Sequence, residues 1–432
     1  MKDNRKYAEE LLAFINESPT AYHAVLTTEG ILKNKGYEEL KAEDKWNIVA
    51  GGKYYTKIND SAIFAFNVGL GNIEEHGFKI IGAHTDSPGF KIKPNPEICA
   101  EGKYISLNTE VYGGPIMNTW LDRPLSVAGR VAVRTNGLLP KTLFVNIKRP
   151  IMVIPNLAIH FNRQANEGVP VNPQKHTLPL LAVIKDTAEK NEYLIKLLSK
   201  ELKVEKEEIL DFDLYLYEYG KGSIVGSEED FISSGRLDNL AMVHAGLEAL
   251  INTNNQGGVN LLACFDNEEV GSSTRQGADS EVLPHILERI LLSLGKGREE
   301  LFRAYAQSFM ISADLAHAIH PNSTEKYDPI NRAVINGGPV IKVSAAQKYT
   351  SDSVTAGVYE MICKRAGVPV QRFVNRSDER GGSTIGPISS THLPIRSVDI
   401  GTPILAMHSV RELGGVDDHG YVIKSFIEFF SN

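Results

Sequence analysis

Only three cysteines occur in the 432 residues, Cys99, Cys264 and Cys363, and they form no CxxC pair. That excludes a disulfide framework and a cysteine zinc site, and the three read as buried, reduced thiols. A bound metal would have to be held by His, Asp and Glu, ligands that suit zinc, cobalt or manganese in a hydrolytic site. No apolar run approaches the roughly 20 residues of a membrane span. The start, Met1-Lys2-Asp3-Asn4-Arg5-Lys6, leads into a charged amphipathic helix without an apolar signal core, so a cytoplasmic protein is expected with no membrane partner. No basic block is interleaved with aromatics, and a net charge of -7 is modest at this length, which argues against nucleic acid as a partner. Internal repeats, low-complexity linkers and a nucleotide-binding glycine loop are also missing.

What is present is enough chain for a large core, in two or three domains or in one domain with an insertion. Residues 4–17 and 21–35 pattern as amphipathic helices, with Pro19 after Ser18 placed to open the second. From Val259 onward strand and helix patterns alternate: 259–265, a helix near 281–295, 309–313, a helix near 352–366, 368–374 and a last helix near 417–430. This predicts an α/β fold, a central mixed sheet covered by helices on both faces. The stretch 95–232 differs in having many β-branched residues and few helical patterns in its first half. It reads as an inserted β-rich domain, leaving 1–94 plus 233–432 as one discontinuous domain. Within it, Asn136-Gly137 between strand-like runs predicts a two-residue hairpin turn. The charge-rich 199–210 segment reads as a solvated helical face.

Chemistry gathers where predicted strands end. Gly82-Ala83-His84-Thr85-Asp86 follows the apolar Phe78–Ile81, and Asp266-Asn267-Glu268-Glu269 follows Val259–Phe265. Asp314 follows a third strand. In open α/β sheets ligands collect at the carboxyl ends of strands, so these distant positions can meet in one crevice. A histidine binds metal through one ring nitrogen while a carboxylate holds the other, and adjacent glutamates can divide the work of ligand and general base. Asp238 stands where a helix begins, which equally suits an N-cap or first-turn acid. His408 taken alone reads first as a structural histidine.

The series GAHTDSPG, SGRLDN, DNEEVGS, SADLAHAIHPN and GTPILAMHSVRE closely resembles the aspartyl aminopeptidase family of dinuclear zinc aminopeptidases. FINESPTAYHAV, DRPLSVAGRV, IPNLAIHFNR and GGSTIGP add to a resemblance that runs nearly end to end.

The resemblance implies two divalent metal ions, zinc first and cobalt or manganese as alternatives. His84, Glu269, Asp314 and His408 would be terminal ligands, and Asp238 would bridge the ions. Asp86 would orient His84, Glu268 would be the general base, and His160 would help stabilise the tetrahedral intermediate, reaching the site from a neighbouring subunit. His317 and His320, three apart, could bind metal on a helix; the resemblance instead makes His317 a substrate contact and leaves His320 structural. Lys342, Arg380 and Met407 are candidates for the first side-chain pocket by position only, with an ordinary surface or ion-pair role for the two cations and simple packing for Met407 as the alternatives. The implied activity is removal of N-terminal residues, with acidic ones preferred, from peptides with a free N-terminus. Dimers joined through the insert would assemble into a tetrahedral dodecamer. The chain departs from the family at Asp378-Glu379-Arg380-Gly381, where a cysteine is common beside the glycine; a broader preference is the alternative there. A deacylase acting on N-acyl compounds and a catalytically silent assembly protein remain as rival readings.

Overall fold

The computed structural model of the chain describes residues 3–168, 170–184, 192–379 and 381–432. They divide into two compact units. The first comprises residues 1–86, 222–407 and 412–432; the second comprises 87–221 and 408–411.

The first unit is built on a nine-stranded mixed sheet. Its centre is four parallel strands side by side, Val259–Phe265, Phe78–His84, Phe309–Ala313 and Arg396–Gly401. Val259–Phe265 is buried along its whole length, as expected of a parallel strand covered on both faces. Side chains alternate across the sheet. In Phe78–His84, Ile81 and Ala83 enter a core with the Leu237–Asn252, Ser353–Ala366 and Val416–Ser431 helices. Phe78 and Ile80 enter a second core with the Val282–Ser293 and Arg298–Gln307 helices. Because the crossover helices return antiparallel to the strands, the carboxyl ends of all four strands share one edge, where the chain must turn and polar side chains are tolerated. A smaller five-stranded sheet completes this unit.

The second unit contains a six-stranded antiparallel sheet whose apolar face packs with the Tyr193–Leu202 helix through Leu194 and Leu198. The expected hairpin is present between Leu125–Val133 and Lys141–Asn146, but pairing closes at Val133 and Lys141, so Asn136-Gly137 lies inside a longer loop. Thr135 Oγ1 accepts from the Gly137 N–H and holds that loop in place of a two-residue turn.

Other expectations need correcting. Pro19 does not open the second helix; Thr20 caps Ala21–Asn34, its Oγ1 accepting from the His23 N–H. The strand expected at 368–374 contracts to Gln371–Phe373, since Pro369 cannot donate to a ladder. The 199–210 segment is one helix end, a single 3-10 turn and the start of a strand. Cys99 is exposed, whereas Cys264 and Cys363 are buried. Among the described residues no helix is long and apolar enough to cross a membrane.

One polar pair interrupts the apolar packing of the terminal helix. His244 Nδ1 and His419 Nε2 lie 2.9 Å apart, both residues buried, with their rings stacked. Burial, followed by the field of His244, holds the His419 pKa well below its ordinary value. The folded form therefore keeps His419 neutral, while the unfolded chain takes up a proton below about pH 6.5. Stability from this group is present above that pH and is lost as pH falls. Urea unfolding followed from pH 7 to 5 is expected to lose about 1.4 kcal/mol per pH unit below 6.5 from His419. His419→Asn should flatten the slope by that amount.

Candidate metal centre

The register of the two central strands sets the site. His84 pairs opposite Phe265. One residue on, the Thr85 N–H donates to the Phe265 carbonyl at 2.8 Å, and the Thr85 hydroxyl donates to the Ser61 carbonyl at 2.6 Å. The chain then turns so that the Asp86 carboxylate faces the tight turn Glu268–Val270. Its Oδ1 accepts from the Glu268 N–H at 3.2 Å and its Oδ2 from the Glu269 N–H at 3.1 Å. Asp86 Oδ1 is also 3.3 Å from His84 Nδ1, and the Asp86 carbonyl is 3.1 Å from the same nitrogen. A single buried carboxylate thus orients the imidazole and anchors both glutamates.

The other imidazole nitrogen points at acids. His84 Nε2 lies 3.4 Å from Asp238 Oδ1 and 3.6 Å from Asp314 Oδ1. Ligand atoms of His84, Asp238 and Asp314 all fall within 4.8 Å of one another, as do those of His84, Glu268 and Glu269. Asp314 follows its strand as expected, its N–H bonded to the Ile400 carbonyl at 2.9 Å. Asp238 is not an N-cap. Arg236 occupies that position, Asp238 itself has non-helical φ and ψ, and its side chain is buried toward His84. The Asp238 N–H donates to Glu412 Oε2 at 3.1 Å.

Negative charge accumulates here beyond what side chains offset. Burial would lower the His84 pKa, but Asp238, Asp314 and Asp86 hold it well above the ordinary value. Burial pushes Glu268 up to about 8, with Asp314, Asp238 and Asp86 adding to the rise. Asp266 is pushed up to about 7 by burial and by Asp86. Carboxylates crowded to this degree, with His84 and Lys342 as the cationic side chains beside them, fit divalent cations: hard oxygen donors plus one imidazole, and a field that positive charge would relieve.

The remaining candidates are placed as follows. Lys342 is no surface residue. It is 2% exposed, its Nζ donates to the carbonyls of Asp314 and Leu315 at 3.3 and 3.2 Å, and it lies 3.8 Å from Asp314 Oδ2. His317 and His320 do not share a helix; His317 ends the short strand Ala316–His317 and His320 lies in the loop beyond. Met407 is half-buried and packs against the larger core of the first unit. Arg380 lies outside the described residues. His160 is exposed in the second unit. His408 also belongs to the second unit, with Nδ1 3.1 Å from the Gly114 carbonyl.

Two residues escaped the sequence reading. Asp399, fully buried in its strand, accepts from Ser312 and Thr384 hydroxyls at 2.6 Å each and from the Thr350 N–H and hydroxyl at 2.6 and 2.8 Å. It ties the 344–352 loop and the GGSTIGP segment to the strand edge. Tyr349 lies in that loop, its ring centroid 5.2 Å from Lys342 Nζ. The one signal available was an aspartate inside the otherwise apolar Val398-Asp399-Ile400.

Comparison with known proteins decides the lineage. The model of the family described as Aminopeptidase I zinc metalloprotease (M18) matches residues 14–430. The chain belongs to the M18 family. A probable M18 family aminopeptidase 2 of Clostridium novyi (strain NT) is 62% identical over 432 residues, covering 100% of both chains. Among solved structures, a chain in the complex of Ape4 and Nbr1 superposes with a TM-score of 0.95 at 36% identity, over 99% of this chain and 86% of that one. The S. cerevesiae mApe1 dodecamer gives 0.84 at 29%, over 99% and 96%. The resemblance to aspartyl aminopeptidases, which are M18 proteins, is thereby confirmed. The protein is a metal-dependent aminopeptidase and a hydrolase, of a family defined by zinc.

Asp86 should therefore matter beyond its own contacts. Asp86→Ala is expected to lower zinc affinity and kcat/KM by about 10- to 100-fold, the usual cost of losing the group that orients a ligand. Metal titration and steady-state assays check this. Unchanged circular dichroism would separate the loss from misfolding.

Proposed function

We propose that the M18 site of this chain holds two divalent ions, zinc first and cobalt or manganese as alternatives. His84, Glu269, Asp314 and His408 are the terminal ligands and Asp238 is the bridge. The convergence of His84 with Asp238 and Asp314 on one nitrogen, and with Glu268 and Glu269 nearby, carries the reading. His408 enters through the GTPILAMHSVRE motif. Zinc held by these groups supplies a water of lowered pKa and polarises the scissile carbonyl.

The chain's own residues do the rest. Glu268 accepts the proton of the attacking water and returns it to the leaving amine. Its backbone is pinned by Asp86, so its carboxylate starts from a fixed base. His160 donates toward the developing oxyanion from a neighbouring copy, an assignment supported by its exposure and by exposed Leu157, Ile159 and Phe161 around it, an apolar strip suited to burial between subunits. The β-rich unit is the dimerisation domain, and dimers assemble to a dodecamer of the kind described for mApe1. Peptides with a free N-terminus are the substrates, and the cytoplasm is the compartment, where the three free cysteines stay reduced.

Preference for Asp or Glu N-termini is the finer part of the proposal. Lys342, whose Nζ lies 3.8 Å from Asp314 Oδ2, is the candidate cation for the substrate side chain by position, and His317 and Met407 are further candidates for the pocket, as is Arg380 from the sequence alone.

A panel of acidic, neutral and basic aminoacyl reporters, with N-acetylated controls, tests both levels. Turnover is expected to vanish with a chelator, return with zinc, cobalt or manganese, and require the free amine. Glu268→Gln should lose about 100- to 10,000-fold in kcat, the range attributed to general acid–base catalysis. Neutral reporters cleaved as fast as acidic ones would remove the acidic preference and leave the peptidase standing. For His160→Ala, loss of kcat with metal and assembly retained is expected; unchanged kcat would remove that residue from the mechanism.

A further inference from the structure

The amino ends of the parallel strands form a second chemical environment, at the opposite edge of the sheet from the acids. A cavity of about 310 Å³ opens there. Phe309, Val358 and Phe429 form its apolar part, and all its titratable side chains are basic: His76, Lys79, Arg365 and Arg396. Among the described residues no acidic side chain lines it.

Lys79 is the unusual member. It stands second in Phe78–His84, on the sheet face where Ile81 and Ala83 enter the larger core, so the strand's alternation places a lysine where an apolar residue would continue the pattern. Half-buried, it makes no hydrogen bond or ion pair with the described residues, and burial alone lowers its pKa. Arg365 and Arg396 are tied only to neutral groups, the Asn432 side-chain oxygen and the Ala306 carbonyl.

Helix ends explain part of this charge. Arg298–Gln307, Ser353–Ala366 and Val416–Ser431 all terminate around the cavity, and each C-terminus carries about half a negative charge. Together they offset about one and a half of the three permanent cations. The carboxylate of Asn432, the last residue and part of the lining, offsets about one more, so the surplus is about half a positive charge and rests on Lys79, above an apolar floor in a volume at the lower limit of small-ligand sites.

We propose that this cavity binds a small monocarboxylate with an apolar body, its carboxylate on Lys79 and Arg396 and its chain or ring against Phe309 and Phe429. Lys79 is second and His84 last in one strand, about 17 Å apart at 3.3–3.4 Å per residue, so the ligand is not a substrate in the hydrolytic centre.

Octanoate is the probe, measured by equilibrium dialysis on the zinc-loaded assembled enzyme. Saturable binding is expected, weakened at least tenfold in Lys79→Gln and in Arg396→Gln, with both variants keeping normal aminopeptidase kinetics. Octanamide, of the same shape without charge, and acetate, charged without the body, should each bind at least tenfold more weakly than octanoate. The proposal is overturned by absence of saturable binding at about 10 mM, by equal affinity for octanamide, or by octanoate affinity unchanged in both variants. Competitive inhibition of reporter cleavage with the same constant as the dialysis would likewise overturn it, by placing octanoate at the metal centre. Should Lys79→Gln fail to fold, Arg396→Gln, which alters an exposed side chain, carries the test alone.

Discussion

The pairing of Phe78–His84 with Val259–Phe265 is the constraint on which the chemistry rests. With Phe265 opposite His84, the next residues of each strand emerge together, and Asp86 meets the N–H groups of Glu268 and Glu269. A slip of one residue would turn Ile81 and Ala83 from one core to the other and carry Asp86 away from the glutamates. The apolar pattern of both strands forbids that slip, so hydrophobic burial, which has no chemistry of its own, holds a set of mutually repelling carboxylates in place. Burial and then like charges oppose ionisation of these groups, and the raised pKa of Glu268 and Asp266 records that opposition.

Much of this is legible in the sequence. Periodicity marked the strands ending at His84, Phe265 and Ala313, and the rule that strands of an α/β sheet offer their carboxyl ends to ligands brought His84, Glu268, Glu269 and Asp314 into one crevice. Asp238 illustrates where local reasoning stops. Its position in a helical first turn suggested an N-cap, yet tertiary contact with His84 and Glu412 draws it out of helical geometry. Asp399 marks a different limit. Its partners lie 15, 49 and 87 residues away, and nothing in the local pattern distinguishes a buried hub from an edge acid. The Asn136-Gly137 turn failed for a simpler reason: the dipeptide favours a turn, but strand ends decide how many residues the turn must span.

Electrostatics separates the two edges of the central sheet. One edge gathers acids around His84; the other holds Lys79, Arg365 and Arg396 beside helix C-termini. The sign agrees with helix polarity at both edges, since the crossover helices turn their positive ends toward the acids. At the acidic edge the side chains exceed anything the helix ends require, which is the expected signature of a site organised around cations.

The order in which the chain is made gives the strand arrangement a further meaning. His84 is synthesised early, Glu268 and Asp314 late, and the strand Arg396–Gly401 that supports the Asp314 backbone later still. Between the first two lie all six strands of the β-rich unit, which can form their own sheet in the meantime. A nascent chain that has not reached residue 400 lacks the carbonyl that holds the Asp314 N–H, so the acid cluster around His84 takes its final arrangement only near the end of synthesis.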